Sequence, residues 1–207
     1  MTPELFDKLG KAYFQFAVKN QELFTRKEDF QLIQYINEDH HNRLFVLADK
    51  VSKQLEVGPR YLNVGMGGGY LEYCAKSIEG LTVDGVEWNR QDRHFSPIRN
   101  VLEVDRKYVC NDITLNAFEI AGADTENKYD YAVLCRFYPL NLMWTKDQEK
   151  IKNYIRRLQK YVNRVIVVEI EGNFSEFTVD FFTSNSEKIV ELGNEFNYKM
   201  YYLNEIV

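Results

Sequence analysis

The sequence predicts an α/β protein: a mostly parallel sheet covered by helices on both faces, preceded by a helical segment. Three observations carry this. From Arg60 onward, short apolar runs alternate with stretches of helical periodicity, the pattern of βαβ units. Two of those runs, 131–135 and 164–168, are almost continuously apolar, as strands buried on both faces of a parallel sheet must be. Residues 3–54 hold no glycine after Gly10 and no strand-like run, and their apolar residues recur at helical spacing.

The elements follow in order. Leu5, Leu9, Ala12 and Phe16, then Leu32, Ile33 and Ile36, then Leu44, Leu47, Ala48, Val51 and Leu55 predict two or three helices, with breaks near Asn20–Lys27 and around Asp39–His41. Gly58-Pro59 closes this region, because a Gly-Pro pair stops a helix and starts a turn. Residues 1–57 are therefore expected to form a helical cap or lid, and 58–207 the main domain. Tyr61–Val64 reads as a strand running into glycines, Leu71–Ile78 as a helix, and Leu81–Glu87 and Tyr108–Asn111 as strands. A turn at Glu126-Asn127-Lys128 precedes the strand Tyr131–Cys135. Lys146–Tyr161 reads as a long amphipathic helix, with Ile151, Tyr154, Ile155, Leu158 and Val162 on one stripe. Arg164–Ile170 is the strongest strand signal. Ser186 predicts an N-cap for a helix from Glu187 to about Phe196, and Tyr198–Leu203 a closing strand. The stretch 171–185 fits either a short strand or part of a helix.

Composition narrows the function classes. A length of 207 residues suits one generous domain, or a domain with an added cap. With 45% hydrophobic and 28% charged residues the chain is not a disordered one. Its 14 Tyr and 14 Phe supply a core, and 4 Pro and 11 Gly exclude a collagen-like or linker-rich reading. The net charge of −5 provides no broad basic field, which disfavours nucleic acid as a partner. Cys74, Cys110 and Cys135 show no metal-ligand spacing, so no metal site is expected, and they read as reduced thiols. The first residues include acidic ones and lack the apolar run of a signal peptide, and no stretch reaches the ~18–20 apolar residues of a spanning helix. A soluble, cytoplasmic protein is the expectation.

The stretch that speaks to chemistry is Tyr61-Leu62-Asn63-Val64-Gly65-Met66-Gly67-Gly68-Gly69-Tyr70, a strand that turns through glycines into a helix. Such a turn lets a ligand approach the main chain, and the helix start offers free N–H groups. A dinucleotide fingerprint requires GxGxxG. Gly65 and Gly67 match it, but its last position is Tyr70, and the glycines fall instead as GxGxG at 65, 67 and 69. Glu87 ends the next strand, 22 positions after Gly65, where a carboxylate can accept from both ribose hydroxyls of a nucleoside. Asp112 follows a third strand, where it can accept from an adenine amine while the N–H of Ile113 serves a ring nitrogen.

Together these segments resemble the class I S-adenosylmethionine-dependent methyltransferases. YLNVGMGGGY carries the first motif, VDGVEWN the ribose acid and CNDI the adenine motif. Asp130–Cys135 looks like the family's fourth strand and RVIVVEIEG like its fifth, so the likeness runs over roughly 58–207. The resemblance implies a Rossmann-like three-layer α/β/α sandwich of six or seven strands, with S-adenosylmethionine across the strand carboxyl ends. It implies that Gly65, Gly67 and Gly69 flank the methionine part, with Asn63, Met66 and Tyr70 of the same motif beside them. It further implies Glu87 on the ribose, Trp88 against the nucleoside, Asp112 and Ile113 at the adenine, and Cys135 and Arg136 on the pocket floor. The family usually carries an acid where this chain has Asn63, which accepts a hydrogen bond but adds no charge. Only one late strand is legible, so the closing antiparallel hairpin of the family is expected to be incomplete.

Each residue also has a plainer reading. The glycines can form a ligand-free turn, Glu87 a solvated strand-end acid, Asp112 a turn residue and Trp88 a core residue. His94 is a candidate general base or anion contact, against a surface histidine. His40 and His41 read as a solvated helix end, since adjacent side chains on a helix diverge. Arg136 and Tyr138 follow the fourth strand and are candidates for substrate contact; the segment lacks the tetrad of amino-methylating DNA enzymes. The function expected is in-line methyl transfer to a small molecule or a protein side chain. The alternative is a methyltransferase-like partner subunit without turnover. A nicotinamide enzyme is disfavoured by the glycine spacing, and an aminopropyltransferase by Cys135 and Arg136 where an acid is needed. Displacement at an activated methyl depends chiefly on alignment, so no fixed catalytic residue is demanded.

Overall fold

Eight strands form one sheet in this computed structural model, which describes residues 2–24, 29–112, 119–135, 147–170, 175–193 and 198–205, with the side chains at 29–32, 90, 112, 169 and 170 outside the description. The strands are β1 (Arg60–Val64), β2 (Thr82–Trp88), β3 (Tyr108–Asp112), β4 (Glu119–Ala121), β5 (Tyr129–Cys135), β6 (Val162–Ile170), β7 (Ser186–Glu191) and β8 (Tyr198–Leu203). The helices are α1 (Pro3–Lys19), α2 (Glu38–Ser52), α3 (Tyr70–Ala75), α4 (Asn89–Leu102), α5 (Gln148–Leu158) and α6 (Glu176–Ser184), with short 3-10 turns at Gln21–Leu23 and Asp29–Ile36.

The sheet order is β4-β3-β2-β1-β5-β6-β8-β7. The inner block β3-β2-β1-β5-β6 is parallel throughout, while β4, β8 and β7 pair antiparallel at the two edges. The sheet is thus mixed and has eight strands, rather than the six or seven expected. β4 is only three residues long and too short to give a readable alternation.

Strand side chains alternate between two cores, as a period of two requires. Leu62, Val64, Ala132, Leu134, Val165 and Val167 face α5 and α6. Tyr61, Val133, Ile166 and Val168 face the opposite way, into a core shared with residues of α1, α2, α3 and α4. α1 packs on α4 and α2 on α3, so the N-terminal helices complete one face of the sandwich. Among the described residues no helix is long and apolar enough to cross a membrane.

Local chemistry sets the helix ends. Asp147 caps α5, its carboxylate accepting from the N–H of Glu149 at 3.0 Å. Ser175 caps α6, accepting from Thr178 N–H at 3.3 Å. α4, where the sequence pattern predicts no element, contains Pro97. Proline removes one helical N–H; here the Ser96 hydroxyl donates to the Arg93 carbonyl at 2.8 Å and gives that oxygen a donor.

Two expectations are corrected. The N-terminal break falls at Asn37, which caps α2 by accepting from Asp39 N–H at 2.8 Å, and not at Asp39–His41. Ser186 starts no helix: its hydroxyl donates to the Phe182 carbonyl at 2.6 Å, closing α6, and the chain continues as β7 paired with β8. The closing hairpin is therefore complete, and the helix in this part of the chain is 176–184. The far end of the expected helix, 194–196, lies outside the described residues.

Leu158 is fully buried between α5 and the sheet. Leu158→Ala is expected to lower unfolding free energy by about 2–5 kcal/mol, measured by urea denaturation. A loss within the error of that measurement would place Leu158 outside the core.

Candidate functional site

β1, β2 and β5 lie side by side and parallel, and the chain leaves β1 for β2 on one flank and later returns to β5 on the other. At such a reversal the connections diverge and leave a crevice beyond the strand carboxyl ends. A cavity of about 250 Å³ lies there. Asn63 and Gly65 reach it from the end of β1, Glu87 from β2 and Cys135 from β5, with Met66, Gly67 and Gly68 from the turn.

The turn is held rigidly. The N–H groups of Gly65 and Met66 both donate to the Val86 carbonyl, at 2.8 and 3.1 Å. Gly65, Gly67 and Gly69 all have positive φ. At Gly69 (φ +81°) a Cβ would also meet Val104 Cγ2 at 2.4 Å, so only glycine fits. Gly67 is gripped at both ends of its residue. Its N–H donates to Glu87 Oε2 at 2.5 Å, and its carbonyl accepts from the Arg99 guanidinium at 3.0 Å. Arg99 is almost wholly buried and is fixed in turn by Asp92 at 2.6 Å.

Glu87 is 2% exposed, and its other oxygen accepts from the Trp88 N–H at 2.7 Å. Burial pushes its pKa up to about 7, against the lowering effect of those backbone N–H groups and of Arg99. A carboxylate has about four lone-pair sites, so Glu87 retains acceptor capacity toward the cavity.

Below the turn lies a second buried acid. Asn63 Nδ2 donates to Glu72 Oε1 at 2.8 Å, and both residues are at least 95% buried. Gly85 on β2 makes the room: a Cβ there would meet Met66 Sδ at 2.3 Å and Glu72 Oε1 at 2.8 Å. Asn63 Oδ1 and Glu72 Oε2 find no hydrogen-bond partner among the described residues. Burial, with Glu87 adding to it, raises the Glu72 pKa to about 7, while the Asn63 amide opposes the rise.

The outer wall of the cavity comes from the N-terminal segment and α4: Gln34, Tyr35, His40 and Leu44, with Gln91 and Phe95. A buried imidazole ties this wall to the glycine turn. His41 Nε2 lies 2.6 Å from the Tyr35 carbonyl, and Nδ1 lies 2.5 Å from the Tyr70 hydroxyl. A carbonyl only accepts, so Nε2 carries the hydrogen; in the neutral ring Nδ1 then accepts from Tyr70. Burial lowers the His41 pKa and favours that neutral ring.

The predicted site residues separate accordingly. Asn63, Gly65, Met66, Gly67, Tyr70, Glu87 and Cys135 line one cavity. Met66 does so while its side chain packs inward over Gly85. Trp88 is half-buried at the junction of β2 and α4, outside the cavity wall. Asp112 ends β3 beside β2, its side chain undescribed, and Ile113, Arg136 and Tyr138 lie outside the described residues.

The histidines require correction. His94 is neither a surface residue nor part of the cavity wall: it is 5% exposed, its Nε2 donates to the Leu23 carbonyl at 3.1 Å, and it stands edge-on to Phe24. His41 is fully buried rather than solvated, and His40 lines the cavity beside Tyr35. Glu72 and Arg99 lie beyond the expected set, as do Gln34 and Leu44 of the N-terminal wall. Glu72 and Arg99 carry a usable signal, since each is a charged residue among the apolar positions of its helix. No group of three or more potential metal ligands occurs among the described residues.

No protein-family model and no curated protein matches this chain. Solved structures do match it. An O-methyltransferase family 2 protein from Planctomyces limnophilus, solved with apigenin, aligns over 88% of this chain and 66% of its own at 8% identity and TM-score 0.55. The magnesium protoporphyrin IX methyltransferase of Synechocystis, with bound S-adenosylmethionine, aligns over 90% and 95% at 14% identity and TM-score 0.51. A TehB-like S-adenosylmethionine-dependent methyltransferase from Corynebacterium glutamicum aligns over 77% and 87% at 11% identity and TM-score 0.50. The fold is that of the class I S-adenosylmethionine-dependent methyltransferases.

The buried polar groups can be tested by substitution. Tyr70→Phe strands His41 Nδ1 without its donor and is expected to cost about 1–3 kcal/mol of stability in urea; an unchanged midpoint would show that the bond contributes nothing. Glu72 has a folded pKa above its ordinary 4.5, so its contribution is fully present below pH 4.5 and is lost as pH rises through about 7. Glu72→Gln removes that titration, so its stability relative to wild type should climb across this window. A flat difference between the two urea midpoints would refute the assignment.

Proposed function

We propose that this chain is an S-adenosylmethionine-dependent methyltransferase acting on a small molecule or a protein side chain. The observation that carries the reading is Glu87, a buried carboxylate held beside the glycine turn and bearing the only formal charge in the described cavity wall. No lysine or arginine stands in that described wall. Such a cavity suits a ligand that brings a positive charge and hydroxyl or N–H donors. The unpartnered Asn63 Oδ1 fits the same ligand, since it lacks a donor.

When bound, S-adenosylmethionine supplies a methyl group already activated by its cationic sulfur. The chain's own residues bind and orient. Glu87 accepts from the ribose hydroxyls with the oxygen capacity its backbone bonds leave free. Gly65, Gly67 and Gly69 shape the main chain along the methionine part, and Arg99 keeps that shape by holding the Gly67 carbonyl. Asp112 at the end of β3 and Ile113 after it serve the adenine edge; Arg136 and Tyr138, beyond β5, meet the acceptor; Cys135 forms the floor. Residues 1–57 act as the lid, with Tyr35, His40 and Leu44 excluding water over the strand ends. Alignment of acceptor, methyl and sulfur then supplies much of the rate.

Calorimetric titration tests the reading. S-adenosylhomocysteine should bind and NAD should not, and a panel of small-molecule acceptors should release S-adenosylhomocysteine from the methyl donor. Glu87→Ala should weaken S-adenosylhomocysteine about tenfold or more, since a hydrogen bond to a charged group contributes about 1.5–3 kcal/mol. Binding of NAD in place of the sulfur nucleoside would overturn the cofactor assignment. An unchanged affinity in the variant would remove Glu87 from the site.

A further inference from the structure

We propose that Glu72, which does not line the cavity, is a positioning residue that fixes the direction of the Asn63 amide and places negative charge behind it, so that Asn63 Oδ1 receives a cationic N–H donor of the ligand. The inference rests on the methyltransferase reading above, in which the ligand's cationic N–H donor is the α-ammonium group.

The geometry supports each part. Asn63 lines the cavity at the end of β1, and Glu72 sits behind it on α3. An amide presents two chemically opposite ends, and nothing in an isolated asparagine decides which faces the ligand. Here Glu72 Oε1 stands 2.8 Å from one end, and in the ionised form, which a cation in the cavity favours, that oxygen only accepts. That end must be Nδ2, and Oδ1 is left as the acceptor without a partner, in a residue only 3% exposed. A buried acceptor left unpaired is costly, and an ammonium group arriving from the cavity removes that cost.

The charge matters as well as the direction. Asn63 itself is neutral, but Glu72 is one hydrogen bond away in a poorly solvated interior where charge acts over distance. Glu87 on β2 and Arg99 on α4 are the ionisable groups that act on Glu72, the first disfavouring its ionised form and the second favouring it. A cation at Oδ1 works in the same sense as Arg99. Gly85 supports the arrangement from β2, because any side chain there would occupy the space of the Glu72 carboxylate. The amide and the acid thus divide between two residues what a single carboxylate would do: one supplies the acceptor and the other the charge.

The test compares two ligands that differ in the amino-acid part. S-adenosylhomocysteine carries the ammonium, and 5′-methylthioadenosine lacks it. Both are titrated by calorimetry into wild type, Glu72→Gln, and the exchange variant Asn63→Asp with Glu72→Gln. In Glu72→Gln the facing amide can donate as well as accept, so the orientation is no longer fixed and the charge is gone. The expected result is a loss of about tenfold for S-adenosylhomocysteine and an unchanged affinity for 5′-methylthioadenosine. The exchange variant moves the acid to position 63 and places behind it an amide that can donate to it, and it should recover most of the loss. Equal loss for both ligands, loss for neither, or no recovery on exchange would overturn the role of Glu72. Failure of wild type to bind either compound would instead overturn the methyltransferase reading, and this inference with it. Should Glu72→Gln not melt cooperatively, Glu72→Met, which removes the acceptor and the charge at similar size, is read in the same pair of titrations: the same ligand-selective loss supports the role, and equal or absent loss overturns it.

Discussion

The residue on which this site depends is Gly67, held by a carboxylate at its N–H and a guanidinium at its carbonyl. Glu87 comes from the end of β2 and Arg99 from α4, so three parts of the chain meet at one glycine. Left-handed φ values at Gly65, Gly67 and Gly69 give the turn its shape but also its entropy cost, because glycine loses more freedom on folding than any other residue. The two side-chain bonds, with the paired N–H groups on the Val86 carbonyl, offset part of that cost. A binding loop formed in advance loses less entropy when a ligand arrives.

The same constraint explains the electrostatics. Glu87 and Glu72 are two carboxylates in one poorly solvated region, and Arg99 is the buried cation acting on both. Two acids against one base leave the interior short of positive charge. Burial answers by holding both acids near pKa 7, poised between neutral and ionised forms. A cationic ligand tips that balance toward ionisation, whereas an anionic one would oppose it.

Much of this is legible in the sequence. The strands β1, β2, β3, β5 and β6, the glycine turn and the acid at the end of β2 can be read because each is a local pattern: apolar alternation, GxGxG, and a carboxylate at a strand end. Two features mislead. Ser186 followed by a short amphipathic stretch imitates a helix start, yet its hydroxyl satisfies the Phe182 carbonyl behind it. α4 hides behind Pro97 and a run of charged residues, and Ser96 donates to a carbonyl of the turn that proline interrupts. His41 and His94 depart from expectation for one reason. Each bonds to a main-chain carbonyl far from the strand motifs, Tyr35 and Leu23, and a bond to a backbone atom leaves no trace in residue identity. Glu72 escapes notice because its partner Asn63 stands out for the charge it lacks rather than for the residue it touches.

The two halves of the cavity differ in how far sequence can reach them. The strand-end half is built by residues adjacent to their own motifs, and its chemistry is that of charge and main chain. The outer half comes from Gln34, Tyr35, His40, Leu44, Gln91 and Phe95, a wall of aromatic, aliphatic, amide and imidazole groups with no carboxylate, lysine or arginine among them. No motif announces these residues, since they are placed by the packing of α1 and α2 on α4 and α3. That packing is not a loose hinge. Leu9, Tyr13, Leu47 and Val51 are buried in the same core as Ile98 and Ile166, and His41 and His94 each add a polar tie. The outer wall is consequently anchored to the same apolar core that covers this face of the sheet.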